Sequence, residues 1–145
     1  MDKIRILIAD DNAAVRAGLA ALIQTEPGME LVGEAEDSDE AVARAQSLSP
    51  DVVLLDLVMP RQDGMETLAR LKRHNPTVRI LILTDYAETE KIAAAFGAGA
   101  MGYLLKVSAP EDLLQAIRQV YHGEFAGMLR PFGNMPANPL SPDQL

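Results

Sequence analysis

Short apolar runs alternate along the chain with stretches whose apolar residues recur every three or four positions. A continuous aliphatic run is typical of a strand buried on both faces, whereas the longer spacing is typical of an amphipathic helix. Five runs predict strands, at residues 4–9, 29–35, 52–55, 80–83 and 102–105. Each is followed by one helical stretch, so the pattern predicts five strand and helix pairs.

Strict alternation of strands and helices predicts an α/β fold. Right-handed crossovers then make the sheet parallel and place helices on both faces. For five strands we expect a flavodoxin-like, doubly wound five-stranded parallel sheet of order 2-1-3-4-5 with five helices. In that order strands one and three are neighbours, and every strand ends at the same edge.

Three of the predicted helices begin with a capping pattern, in which an Asp or Ser is followed three residues later by Glu. These pairs are Asp37 with Glu40, Asp63 with Glu66, and Ser108 with Glu111.

Polar residues stand where the apolar runs stop. Asp10 and Asp11 follow the first run and Asp56 follows the third, while Thr84 and Lys106 follow the fourth and fifth. An unpaired buried carboxylate is costly, and ligands of open α/β sheets bind at the carboxyl ends of the strands. We therefore expect these five side chains to form one site.

Acids, a hydroxyl and a lysine in one place suit phosphoryl chemistry. Three adjacent carboxylates repel one another or bind a cation, and Mg²⁺ prefers oxygen ligands. Asp56 is a candidate nucleophile toward phosphorus, and Lys106 is placed to neutralise the incoming charge. Thr84 can donate a hydrogen bond to a phosphoryl oxygen.

Composition and net charge limit the kinds of partner that this chain can bind. The 145 residues carry a net charge of −8 with a pI of 4.7, which argues against direct binding to nucleic acid or an anionic membrane. The chain has no cysteine, so it contains neither a disulfide nor a thiolate zinc site. No signal-peptide pattern or membrane-length apolar run is present, and we expect a cytoplasmic protein.

The motifs at the strand ends resemble the receiver domain of bacterial two-component response regulators. The resemblance runs from about Lys3 to His122. Within it, the stretch 97–106 is similar to the NarL/LuxR-type subfamily, whose receivers precede a LuxR-type helix-turn-helix domain. The motifs that carry it are Asp10-Asp11, Asp56 with Met59-Pro60 and Gly64, Thr84, and Tyr103 with Lys106.

This resemblance implies that Asp56 accepts a phosphoryl group from a phosphohistidine of a sensor histidine kinase. It also implies catalytic roles for Thr84 and Lys106 and a switch pair of Thr84 and Tyr103. The implied Mg²⁺ ligands are Asp11, Asp56 and the main-chain carbonyl of Val58, with Asp10 acting largely through metal-bound water. Such a domain catalyses only its own phosphorylation and dephosphorylation, and a homodimer is compatible with the family.

Two departures from the receiver pattern lie near the expected site. Val107 follows the lysine where many receivers have proline, and Asp85 and Tyr86 follow Thr84 where many have a small residue first. We expect the added charge and ring to alter the lifetime of a phosphoryl group.

Residues 1–123 are predicted to form the receiver domain and residues 124–145, rich in Pro and Gly, a linker. The stretch Leu140-Ser141-Pro142 resembles the opening of a LuxR-type DNA-binding domain, which we expect to have been cut away. DNA would be bound only through that domain.

Two alternatives remain open on sequence grounds. One is a receiver-like binding module that works without phosphorylation. The other is a magnesium-dependent hydrolase acting through an aspartyl phosphate. Hydrolases of the haloacid dehalogenase type usually need a second acid two residues after the nucleophile, and here that position is Val58.

Overall fold

The computed structural model describes residues 2–59, 62–85 and 88–126. The five helices are α1 (Ala13–Gln24), α2 (Ser38–Leu48), α3 (Gly64–His74), α4 (Thr89–Gly97) and α5 (Pro110–Tyr121). The strands are β1 (Ile4–Ala9), β2 (Met29–Ala35), β3 (Val52–Asp56), β4 (Val58–Met59), β5 (Gln62–Asp63), β6 (Arg79–Thr84) and β7 (Gly102–Leu105). None of the helices in these ranges is long and apolar enough to cross a membrane.

Five parallel strands form the main sheet in the order β2-β1-β3-β6-β7. Counted along the main sheet alone, this is the predicted order 2-1-3-4-5, and the predicted α/β fold is confirmed. The register aligns the strand ends, because Ala9 pairs with Leu55, Asp56 with Leu83, and Thr84 with Leu105.

Successive side chains of each strand point to opposite faces of the sheet and so belong to two separate apolar layers. Leu7, Val53 and Ile80 belong to the layer covered by α2, α3 and α4. Ile8 and Leu54 belong to the opposite layer, which is covered by α1 and α5. Both faces of the central strands are therefore buried, which explains why their sequences are continuously apolar.

The outer strand β2 carries an irregularity in its pairing with β1. Ile6 pairs with Leu31 but the next residue, Leu7, pairs with Gly33, so Val32 is an extra residue. A bulge of this kind bends the strand locally and leaves one residue out of the ladder.

A two-stranded hairpin that the apolar pattern did not predict follows β3. Val58 lies opposite Asp63 and Met59 opposite Gln62, in antiparallel pairing. The hairpin returns the chain to the start of α3 beside Leu57. The Pro60 of the sequence motif lies outside the described residues.

Two of the three predicted caps are confirmed. Asp37 accepts a hydrogen bond from the amide of Glu40, and Asp63 accepts one from the amide of Met65. The Ser108 prediction was wrong, because α5 begins one residue later, with Ala109 at the cap position and no side-chain cap bond. Pro110 is the first residue of this helix and has no amide hydrogen to be capped.

The predicted linker lies mostly in residues 127–145, outside the described residues, so the proposed domain boundary stays a prediction. Residues 124–126 are described, and Ala126 forms a parallel bridge with Gly102.

Gly64, the first residue of α3, packs directly against the backbone of Leu57. A Cβ at position 64 would lie 2.5 Å from the Leu57 Cα and 2.7 Å from its carbonyl carbon. We expect Gly64→Ala to lower the free energy of unfolding by about 2 kcal/mol, as overpacking against immobile backbone does. Urea denaturation measures the change.

Gly18→Ala is the matched control, because nothing lies within 4 Å of a Cβ at this position of α1. There the same substitution should stabilise the protein by about 0.5–1 kcal/mol. Equal effects at both positions would contradict the packing argument.

Candidate functional site

The predicted polar residues meet at the carboxyl edge of the sheet. Asp10 directly follows β1 and Asp56 ends β3, while Thr84 ends β6 and Lys106 directly follows β7. Asp10, Asp56 and Thr84 are buried, whereas Asp11 is exposed. The geometry brings the three acids and Lys106 together, and it places Thr84 at the end of the neighbouring strand.

Lys106 lies between the two buried acids and contacts both. Its Nζ is 2.8 Å from Asp10 Oδ2 and 3.0 Å from Asp56 Oδ2. Both carboxylates are nearly inaccessible to solvent, so removal of the ammonium group would leave two uncompensated buried charges. The lysine is therefore part of what keeps this edge of the sheet assembled.

Main-chain amides hold the other oxygen of each acid. The amide of Asn12 donates to Asp10 Oδ1 at 2.8 Å, and the amide of Val58 donates to Asp56 Oδ1 at 2.9 Å. Each carboxylate is thus fixed at both oxygens. A carboxylate has about four acceptor positions, so both acids retain capacity for a further ligand.

The environment changes the pKa values of the central pair. Burial raises the pKa of Asp56, and the Asp10 charge adds to the rise, while the Val58 amide and Lys106 act against it. Burial alone would lower the pKa of Lys106, but its bonds to the two carboxylates outweigh burial and raise it. The ammonium group therefore stays charged at neutral pH.

Asp10, Asp11 and Asp56 form a cluster that suits a metal ion. One carboxylate oxygen from each lies within 4.8 Å of the others. Three carboxylates against the single Lys106 ammonium leave net negative charge, and all the donors are hard oxygen atoms. This donor set fits a divalent cation that prefers oxygen.

Thr84 and Tyr103 lie on the neighbouring strands β6 and β7. Tyr103 is 1% exposed, so both its ring and its hydroxyl are buried. Burial raises the pKa of Tyr103, while the nearby Thr84 hydroxyl lowers it. The main-chain carbonyl of Thr84 accepts the Lys106 amide at 2.7 Å, which ties the end of β6 to the lysine.

Sequence reasoning missed one residue beside the site, Arg16 of α1. Its guanidinium donates to the main-chain carbonyl of Asp10 at 2.6 Å and lies 3.5 Å from a carboxylate oxygen of Glu34. Arg16 therefore links the turn after β1 to strand β2. A cation one helical turn after Asn12, the cap of α1, was the signal in the sequence.

The two departures from the receiver pattern involve Val107, Asp85 and Tyr86. Asp85 is exposed next to Thr84, and the Val107 side chain is 85% exposed next to Lys106. Tyr86 lies outside the described residues.

The raised pKa of Asp56 generates a pH prediction. Folding favours the protonated carboxyl, so this group destabilises the fold as pH rises from its unfolded pKa, near 3.8, through its higher folded pKa. We expect Asp56→Asn, which stays uncharged, to gain stability relative to the original protein as pH rises from 3 to 7. Urea denaturation at each pH measures this difference, and a constant difference would contradict it.

Relatives of known sequence match over 121 residues, 83% of this chain. The transcriptional regulatory protein LiaR of Bacillus subtilis (strain 168) is 42% identical over this length, and the response regulator protein VraR of Staphylococcus aureus (strain Mu3 / ATCC 700698) is 36% identical. The match covers 57% and 58% of these relatives, so the chain spans little more than half of their length.

Solved structures agree with the fold. A two-component response regulator of the LuxR family from Aurantimonas sp. SI85-9A1 superposes with a TM-score of 0.82 at 37% identity, covering 86% of this chain and 89% of that one. The receiver domain of the putative response regulator NarL from Mycobacterium tuberculosis gives a TM-score of 0.81 at 29% identity, with 86% and 100% covered.

The family model described as the response regulator receiver domain matches residues 6–118. These residues include every side chain of the site described above. The chain belongs to the response regulator receiver domain family, in its LuxR-type branch.

Proposed function

We propose that this domain is a phosphorylation-driven switch in which Asp56 accepts the phosphoryl group. The observation that supports this most is the Lys106 ammonium held 3.0 Å from a buried Asp56 carboxylate, beside two further acids. A buried acceptor with a fixed cation is preorganised for the charge that arrives with a phosphoryl group.

In the proposed transfer, an Asp56 carboxylate oxygen attacks the phosphorus of a phosphohistidine. The new O–P bond forms as the N–P bond breaks, and the imidazole leaves with the electron pair of that bond. Lys106 neutralises the phosphoryl oxygens, and the Val58 amide fixes the second carboxylate oxygen of Asp56. The transfer requires little rearrangement of the protein, because Lys106 and the Val58 amide already contact the Asp56 carboxylate.

We assign the cation of the acidic cluster as Mg²⁺. Asp11, Asp56 and the Val58 carbonyl would hold it, with Asp10 acting through metal-bound water. When bound, Mg²⁺ supplies positive charge to the phosphoryl oxygens.

We propose that Thr84 and Tyr103 change conformation when Asp56 is phosphorylated. The Thr84 hydroxyl would donate to a phosphoryl oxygen, and the Tyr103 ring, packed on the next strand, would report that change to the surface. This is a population shift between two arrangements, which requires that the phosphoryl group interact differently with each of them.

Receiver domains are signalling modules, and we propose that this one turns over no diffusible substrate. Val58 occupies the position where the hydrolase alternative needs an acid, and its side chain is 63% exposed. The proposal includes phosphoryl transfer from a histidine kinase in the cytoplasm and regulation of transcription, the role for which the relative LiaR, a transcriptional regulatory protein, is named. Contact with DNA would require a further domain.

Labelling tests the acceptor. Incubation with acetyl phosphate and magnesium should add the mass of one phosphoryl group to the intact protein, because Asp56 offers one nucleophilic carboxylate beside Lys106. Asp56→Asn should remain unlabelled, and so should the original protein in excess chelator. Intact-mass spectrometry gives the readout.

Other outcomes identify the alternatives. Absence of labelling with any phosphoryl donor would indicate a phosphorylation-independent binding module. Steady release of phosphate from diffusible esters would indicate a hydrolase.

Asp85 is expected to slow phosphorylation by anionic donors. Two like charges roughly 4 Å apart in water repel by about 1 kcal/mol, which sets an upper limit of about fivefold on the change in rate. Asp85→Ala should therefore be labelled by acetyl phosphate up to about fivefold faster, and the phosphoryl group should be lost faster. Glu90→Ala on α4 removes the same charge from an exposed position and serves as the control. If Asp85→Ala is labelled and loses the phosphoryl group at the original rates, Asp85 does not affect phosphorylation.

A further inference from the structure

The segment that follows α5 returns to the sheet and pairs with its outer strand. Gly123, with φ of +82°, turns the chain, a conformation that glycine adopts without strain. The amide of Ala126 donates to the Met101 carbonyl at 2.9 Å, and the Tyr103 amide donates to the Ala126 carbonyl at 3.2 Å. We call residues 124–126 the docked segment, and its last residue, Ala126, pairs beyond β7 through one isolated parallel bridge with Gly102.

The docked segment is packed as well as hydrogen-bonded. Ala126 is 2% exposed and belongs to the apolar layer under α5. A Cβ on Gly102 would lie 3.0 Å from the Ala126 carbonyl oxygen and 2.5 Å from Leu81 Cδ1, so a larger residue would force this segment or the core to shift. Close approach of the two backbones therefore depends on glycine at position 102.

A second contact joins the docked segment to α4. The ring of Phe125 meets that of Phe96 edge to face, with centroids 5.6 Å apart. Because Phe125 is 63% exposed, the ring contributes little to the core and mainly connects the segment to the helix. The segment therefore contacts β7 through Tyr103 and α4 through Phe96.

The same short strand carries the proposed phosphoryl contact at its other end. Within β7 and the residue after it, Tyr103 bonds the docked segment and Lys106 bonds Asp56. A phosphoryl group on Asp56 adds negative charge, and a charge-assisted bond to it would hold Lys106 more firmly than the carboxylate alone. Tighter anchoring at one end of β7 favours the ordered pairing at the other.

We propose that docking of residues 124–126 on β7 and phosphorylation of Asp56 stabilise each other, so that the chain leaving the domain carries the signal directly. The proposal rests on the acceptor role of Asp56. Because such coupling is reciprocal, loosening the segment must weaken binding at the phosphorylation site by the same factor.

Amide hydrogen exchange on the full chain tests the first direction. The probe is beryllium fluoride with magnesium, a non-covalent phosphoryl analogue, compared with magnesium alone. We expect exchange at the amides of Tyr103 and Ala126 to slow about fivefold in the original protein and to stay unchanged in Asp56→Asn. Unchanged or faster exchange in the original protein with the probe bound would overturn the coupling and leave the acceptor role intact.

The reverse direction uses Phe125→Ala, which leaves the core intact because the ring is largely exposed. Its affinity for beryllium fluoride should fall about fivefold, whereas Glu124→Ala, an exposed change in the same segment, should keep the original affinity. Equal affinities for all three proteins would overturn the coupling. If neither the probe nor acetyl phosphate reacts at Asp56, the acceptor role and the coupling both fall.

Discussion

The bond between Lys106 and the two acids Asp10 and Asp56 holds the carboxyl edge of the sheet together. It connects the ends of three strands that are not all adjacent, since β6 lies between β3 and β7. Two buried carboxylates so close to one another would repel in the absence of a cation. The site and the stability of this edge therefore depend on the same interaction, and chemistry that changes the charge of Asp56 acts on the fold as well.

Most of the fold was predictable because each central strand is buried on both faces. Continuous apolar runs, strict alternation with helices and the handedness of crossovers leave few topologies, and these bring Asp10, Asp56, Thr84 and Lys106 to one edge. Their roles do not follow from position alone. Side-chain chemistry makes Asp56 a candidate nucleophile and Lys106 a candidate for charge neutralisation, whereas the phosphohistidine donor and the switch pair are implied only by the resemblance to receivers. The family match identifies the domain and does not test the role of any single residue.

What the sequence did not reveal has physical reasons. The hairpin β4-β5 has two residues in each strand, too few to show a period. Ser108 looked like a helix cap, but Pro110 fits the first helical position better, which moved the cap to Ala109. That Lys106 contacts both acids depends on its long stem crossing the twisted sheet edge, a distance that spacing in the chain does not encode.

The two outer strands of the sheet are protected in different ways. On one side β2 has its bulge at Val32 and an exposed Glu30, features that discourage a second chain from pairing there. On the other side the docked segment occupies the Met101 carbonyl and the Tyr103 amide. A version of the domain ending before residue 124 would expose those groups on a strand of high apolar content. We therefore expect such a truncated protein to self-associate by pairing β7 strands of two molecules. A version of the isolated domain made for expression should include Ala126.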